Sequence, residues 1–150
     1  TDSGLISFQL CKAYAPPVTC TVSLIRRENS LKIQESAENY LETILILQKR
    51  KGTVGAIDIV NELDFTKPSV SVAMKNLRTN GYVEVSPEGH ITLTEKGHEI
   101  AATMYERHTL ISQWLIALGV TPETAVEDAC RMEHVISAES FEAIKKHVAP

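Results

Sequence analysis

The sequence predicts a mainly α protein with one small β-hairpin: a winged helix-turn-helix domain followed by an all-α domain. Apolar residues recur at helical spacing through most of residues 34–148. That pattern is interrupted once, by two β-rich runs around Ser86-Pro87-Glu88-Gly89. The resulting order, three helices, a hairpin and then helices again, is that of a winged helix-turn-helix with a helical extension.

Organised structure is expected from about Gln34. Ala37, Leu41, Ile44, Leu45 and Gln48 step by four and three residues and so share one helix face. Ser36 is the expected N-cap, and Lys49-Arg50-Lys51-Gly52 closes the helix with cations and a glycine stop. Thr53 is the expected cap of a shorter helix with Ala56, Ile57, Val60 and Leu63 inward. Asp64-Phe65 reads as a tight turn. Thr66 then caps a third helix with Pro68 in its first turn, where a missing N–H costs nothing. Val70, Met74 and Leu77 face inward, and Asn80-Gly81 ends the helix.

Tyr82–Val85 and His90–Thr94 form the expected hairpin. Thr94 caps a long fourth helix striped by Ile100, Met104, His108, Ile111, Leu115 and Leu118, and Gly119 stops it. Thr121-Pro122-Glu123 opens a fifth helix, expected to run to about Val135, and Ser137 caps a sixth from Ala138 to about His147. The expected divisions are an N-terminal extension at 1–33, a winged helix-turn-helix domain at 34–94 and a helical metal-binding and dimerisation domain at 95–150.

Residues 1–33 lack sustained periodicity, so a loosely docked extension is expected there, with Thr19–Ile25 as a short strand beyond the helix-breaking Ala15-Pro16-Pro17. Hydrophobic content of 43% and charged content of 23% suit a folded domain. No apolar run is long enough to span a bilayer, and Thr1–Leu10 lacks the features of a signal peptide. A cytoplasmic protein with no membrane partner is therefore expected. Three widely spaced cysteines at 11, 20 and 130 do not make a disulfide framework, and Cys11 and Cys20 lack the spacing of a metal clip.

The third helix offers Thr66, Lys67, Pro68, Ser69, Ser71, Val72, Lys75 and Arg78 outward. In a helix-turn-helix the N-terminal half of this helix meets base edges in the major groove. The hydroxyls can bond phosphates or bases, and Lys67, Lys75 and Arg78 can neutralise phosphates. Val72 can only pack on a thymine methyl. A formal net charge of −4 excludes a globally basic coat for nucleic acid, but a local patch is sufficient.

Cys130, Glu133 and His134 fall at i, i+3 and i+4, on one face of the fifth helix. Taken singly, each suits a structural role. Together, thiolate, carboxylate and imidazole make up much of a transition-metal site. His108 lies on an apolar stripe, where a lone histidine is usually a core residue. Asn39 and Glu42 flank the core face of the first helix and could add oxygen donors.

The runs Glu38-Asn39-Tyr40-Leu41-Glu42-Thr43-Ile44, Lys67-Pro68-Ser69-Val70-Ser71, Leu93-Thr94-Glu95-Lys96-Gly97, Arg107-His108 and Asp128-Ala129-Cys130-Arg131-Met132-Glu133-His134-Val135 resemble the iron- and manganese-dependent repressor family, the type of the diphtheria toxin repressor and the manganese transport regulator. The last run is the most specific, and the resemblance covers residues 34–148. It implies a homodimeric, metal-activated repressor of metal-uptake or related genes that binds palindromic double-stranded operator DNA. Carried over by position, the ligands would be Asn39, Glu42, His108, Cys130, Glu133 and His134.

This chain departs from the family patterns in a mixed way. Asn39 stands where manganese-type members have aspartate and iron-type members methionine. Cys130 follows the iron type and Glu42 the manganese type. Ser112 and Val126 replace the glutamate and histidine of the iron type's ancillary site, so that second site is not expected. The mixed donors favour iron(II), with cobalt(II), nickel(II), zinc(II) or manganese(II) as alternatives.

Helices four to six are expected to form the twofold contact through Ile111, Trp114, Leu115, Leu118 or Phe141. The alternative function is a winged-helix regulator answering a non-metal ligand. An enzyme with a small-molecule substrate is not expected, because no H-E-x-x-H or similar motif occurs.

Overall fold

A computed structural model describes residues 29–148, with side chains from residue 35 onward. The strand expected at Thr19–Ile25, and Cys11 and Cys20, lie outside the described residues. The elements are α1 (Asn29–Lys51), α2 (Ala56–Leu63), α3 (Lys67–Thr79), β1 (Val83–Val85), β2 (Ile91–Leu93), α4 (Glu95–Ala117), α5 (Pro122–Val135) and α6 (Ala138–Val148). Among the described residues, no helix is long and apolar enough to cross a membrane.

Two compact units divide the described chain, residues 29–104 and residues 105–148. The division falls inside α4, between Met104 and Tyr105.

In the first unit, α1 begins at Asn29, so Ser36 lies inside a helix rather than at its N-cap. Nothing between Asn29 and Glu35 breaks a helix, and a cap-type residue does not start one by itself. Gly52 ends α1 at φ 86°, where its N–H donates to the Gln48 carbonyl at 2.9 Å.

The cap of α2 is Gly55, not Thr53. The Gly55 N–H donates to Asp58 Oδ2 at 2.7 Å, and the Asp58 N–H donates to the Gly55 carbonyl at 3.1 Å. Asp58 also pairs with Lys51 at the end of α1. Asp64 turns the chain at φ 53°, a left-handed conformation that aspartate tolerates.

Thr66 caps α3 as expected, accepting the Ser69 N–H at 3.3 Å, with Pro68 in the first turn. Gly81 follows at φ 74°. β1 and β2 pair antiparallel with Val83 opposite Leu93 and Val85 opposite Ile91. The Gly89 N–H closes the turn onto the Ser86 carbonyl at 2.9 Å. The Ile91 N–H also donates to the Val54 carbonyl at 2.8 Å, which ties the hairpin to the loop before α2.

Ile44, Val54, Ile59, Leu63, Val70, Leu77, Val83 and Ile91 are buried and form this unit's core. Burying side chains of this size contributes about 1.5–3 kcal/mol each before entropy is counted. Tyr40 meets Phe65 edge to face, with centroids 5.9 Å apart. Thr94 caps α4, accepting the Gly97 N–H at 3.2 Å while its hydroxyl donates to the Gly81 carbonyl at 2.7 Å.

In the second unit, Ile111, Ala129 and Phe141 form a buried cluster, with Leu110, Leu115, Met132 and Ile136 packed around it. Ile111 and Phe141 are thus interior residues of one subunit and are not available for a contact between subunits. Leu118 leaves the apolar stripe of α4 and is 63% exposed. It lies just past the last helical residue, where Gly119 at φ 97° turns the chain. Ser137 caps α6 as expected, accepting the Ser140 N–H at 3.1 Å.

Two stability predictions follow from the first unit. A Cβ added at Gly97 would lie 2.0 Å from the Tyr82 carbonyl oxygen, so backbone would have to move. Gly97→Ala is expected to cost about 2–3 kcal/mol or more in urea denaturation, despite alanine's better helix propensity; an unchanged midpoint would contradict the packing described here.

The hydrogen bond from Lys51, and after it the Gly55 N–H, hold the Asp58 carboxyl below its ordinary value. A group depressed in this way stabilises the fold above its unfolded pKa, and that contribution is lost as pH falls through the folded value. Asp58→Ala is expected to cost about 1 kcal/mol at pH 7. The gap to the wild type should close as pH drops through about 4 and below, as read from denaturation midpoints across that range.

Candidate metal centre and nucleic-acid face

In the second unit, α4 carries His108 and α5 carries Cys130, Glu133 and His134. Helix α5 begins with Thr121 as N-cap and Pro122 as its first residue, and it ends with His134 in its last turn. The three-residue and one-residue steps from Cys130 to Glu133 to His134 turn those side chains toward one side. Glu133 is fully buried, Cys130 is buried and in no disulfide, and the His134 side chain is 7% exposed.

The carboxylate of Glu133 joins the cluster. His108 Nδ1 lies 2.8 Å from Glu133 Oε2, and His134 Nε2 lies 3.3 Å from Glu133 Oε1. Each carboxylate oxygen therefore faces a different imidazole, one contributed by α4 and one by α5. Cys130 shares the face but not these two contacts. An isolated buried carboxylate costs several kcal/mol unless it is paired and hydrogen-bonded. A buried carboxylate, two imidazoles and a neighbouring thiol are the donor types a divalent transition metal takes, so the residues present fit such an ion.

Two ligand candidates belong to the first unit, both on α1. Asn39 is half-buried, and its carbonyl accepts the Thr43 hydroxyl at 2.8 Å. Glu42 is buried. Ser112 is buried and donates its hydroxyl to the Thr109 carbonyl at 3.1 Å.

Arg107 belongs to the run that carries the family resemblance, but the sequence gives it no role of its own. Its Nη1 donates to the Glu133 carbonyl at 2.9 Å and to the Ile136 carbonyl at 3.2 Å. Its guanidinium stands over the Phe141 ring, 5.5 Å from the centroid. Partners 26 and 29 residues away leave no local signal in a sequence.

The candidate nucleic-acid face lies in the first unit. Lys67, Pro68, Ser69, Ser71, Val72, Lys75 and Arg78 are all exposed along α3, and Thr66 is exposed at its cap. Val72 is 60% exposed, an apolar side chain on an otherwise polar surface. The Thr66 and Ser69 hydroxyls contact each other at 2.8 Å, so the capping turn is ordered by its own side chains. Val70, Met74 and Leu77 on the opposite side are buried.

A winged helix-turn-helix followed by a helical unit with a buried His-Glu-His cluster has the features of a metal-responsive DNA-binding regulator. Comparison with known proteins places the chain within that class. Residues 32–91 match the iron dependent repressor N-terminal DNA binding domain, and residues 94–149 match the iron dependent repressor metal binding and dimerisation domain.

The chain is 34% identical over 112 residues to the transcriptional regulator MntR of Escherichia coli, covering 75% of this chain and 72% of that protein. It is 32% identical over 107 residues to the iron-dependent repressor IdeR of Mycobacterium tuberculosis, covering 71% of this chain and 46% of that one. Among solved structures, the manganese regulator SloR superposes with a TM-score of 0.67 at 28% identity, over 75% of this chain and 53% of SloR. This chain therefore spans about half the length of IdeR and of SloR.

The chain belongs to the iron-dependent repressor family, whose members are metal-dependent transcriptional repressors with a DNA-binding and a dimerisation domain.

If the cluster is a metal centre, a saturating divalent ion should stabilise the folded protein by about 2.7 kcal/mol at a hundred times its Kd. Glu133→Gln keeps the volume and removes the charge. It is expected to lose most of that stabilisation in thermal melts with iron(II), cobalt(II) or manganese(II). An equal metal-induced rise in Tm for the wild type and the variant would remove Glu133 from the site.

Proposed function

We propose that this chain is a cytoplasmic, homodimeric repressor whose binding to palindromic double-stranded operator DNA depends on a divalent transition metal, iron(II) being favoured. Its targets would be metal-uptake or related genes. One observation carries the reading: the wholly buried Glu133 carboxylate, with His108 against one oxygen and His134 against the other. Membership of a metal-dependent repressor family supports it.

In this proposal the ligands are Asn39 and Glu42 from the first unit and His108, Cys130, Glu133 and His134 from the second. The bound ion would supply the positive charge that offsets two carboxylates. Glu133 and Glu42 are the carboxylate donors, and without compensation they oppose any arrangement that brings both into one site. His108 and His134 must present a free nitrogen lone pair and Cys130 its thiolate, so occupancy is coupled to proton release. The soft thiolate and the two imidazoles favour iron(II) over manganese(II), and Asn39 contributes a neutral oxygen where an aspartate would add charge.

On the DNA side, Lys67, Lys75 and Arg78 neutralise phosphates, while Thr66, Pro68, Ser69, Ser71 and Val72 meet phosphates and base edges. Two such helices in a homodimer would engage half-sites about 34 Å apart. A preference of a few kcal/mol for the competent arrangement changes operator occupancy strongly.

The test is a gel-shift titration of a palindromic operator with and without metal. For the wild type, saturating metal is expected to tighten binding by about tenfold or more, and Glu133→Ala or His134→Ala should bring that factor close to one. Either variant retaining the full metal stimulation would refute the mechanism.

A further inference from the structure

We infer that Arg107 is the positioning residue of the metal centre: it holds α5 by its C-terminal carbonyls and so presents the Glu133 carboxylate to His108. The inference rests on the reading that this cluster takes a divalent ion. Arg107 and His108 are consecutive on α4, and both hold Glu133, Arg107 at its carbonyl oxygen and His108 at its carboxylate. The same Nη1 also reaches the Ile136 carbonyl, at the residue that caps α5. The last carbonyls of a helix have no intrahelical donor, and the helix dipole places partial negative charge there. The guanidinium meets both needs: it is charged, and its Nη1 donates to both carbonyls while the planar group lies over Phe141.

Phe141 of α6 is buried beneath the same guanidinium. Three helices therefore converge on one side chain, and α5 can neither rotate nor slide against α4 without breaking a charge-assisted hydrogen bond. The contacts are to backbone oxygens, so Arg107 donates nothing to an ion itself. Its effect would pass through the placement of Glu133. Groups that orient metal ligands in this way typically change metal affinity by ten- to a hundredfold when lost.

The experiment is a cobalt(II) titration of the full chain followed by visible absorption, with far-UV circular dichroism to confirm folding. Arg107→Ala and Arg107→Gln are expected to bind cobalt about tenfold or more weakly and to shift or weaken the ligand-field bands, which report ligand geometry directly. Arg107→Lys keeps a cation with enough N–H donors for both carbonyls, but on a shorter stem and without the planar group that lies over Phe141, so it should fall between these variants and the wild type. Lys145→Ala is the control. It removes the exposed pair with Glu106 that also links α6 to α4, and should leave both affinity and bands unchanged.

Wild-type affinity and bands in folded Arg107→Ala or Arg107→Gln would overturn the inference. So would an equal loss in Lys145→Ala, which would point to general loosening of the helices. If Arg107→Ala does not fold, the Gln and Lys variants decide on the same criteria. A wild type that binds no cobalt would instead overturn the metal centre itself, and the role of Arg107 with it.

Discussion

The second unit is organised around a carboxylate taken out of water. Glu133 is fully buried, and a lone charge in that position would be untenable at the few kcal/mol by which domains are stable. Its surroundings answer that constraint. His108 on α4 and His134 on α5 each face one oxygen. The apolar cluster of Ile111, Ala129 and Phe141 packs the same helices together. An apolar residue of similar volume could fill the space at less electrostatic cost, so stability alone does not explain this arrangement. In the proposed function its value would lie in the donor set it assembles.

The first unit shows a different kind of constraint, built from backbone approach rather than buried charge. Gly97 sits against the Tyr82 carbonyl, and Thr94 bonds both the Gly97 N–H and the Gly81 carbonyl. These contacts fix where α4 departs from the hairpin. The Ile91 bond to Val54 and the Asp58 cap of α2 fix the other side. With Val70, Met74 and Leu77 buried, the remaining face of α3 is left to solvent with its cations, hydroxyls and Val72. A rigid frame of this kind lets a short helix present side chains in a fixed pattern.

Local chemistry was legible in the sequence, and long-range chemistry was not. Thr66 and Ser137 could be assigned as caps because the accepting hydroxyl and the donating N–H lie three residues apart. The hairpin was legible from its turn residues. Ser36 and Thr53 have the same residue character as true caps, yet neither caps a helix: α1 extends back to Asn29, and Gly55 with Asp58 caps α2. Leu118 fits the stripe of α4 by spacing, but the helix ends one residue before it. Ile111 and Phe141 were expected at the twofold contact, and packing within the second unit makes them interior, since apolar spacing alone does not distinguish the two. At the candidate centre, Cys130, Glu133 and His134 were visible as one face of a helix. His108 joined them only through the family resemblance, since its partner lies 25 residues away. Arg107 grips α5 across similar separations and had no sequence signal as a positioning group.

The two-unit organisation bears on how a metal could control DNA binding at all. An ion shifts an equilibrium between two arrangements only by the difference in its affinity for them. Ligands drawn from residues 105–148 alone would bind equally well whatever the DNA-binding unit does, and the ion would then be inert as a signal. Within the proposed mechanism, the regulatory weight therefore falls on Asn39 and Glu42, the candidates contributed by α1. In that mechanism the tightest-binding donors, the imidazoles and the thiol of the helical unit, would set which metal is held and how strongly. The weaker oxygen donors of α1 would set how much of that binding energy depends on conformation. Affinity and coupling are separable quantities, and the proposed ligand set would assign them to different residues. Asn39 in place of a charged donor would lower the coupling more than the affinity, so this sequence would answer its metal less steeply than one with aspartate there.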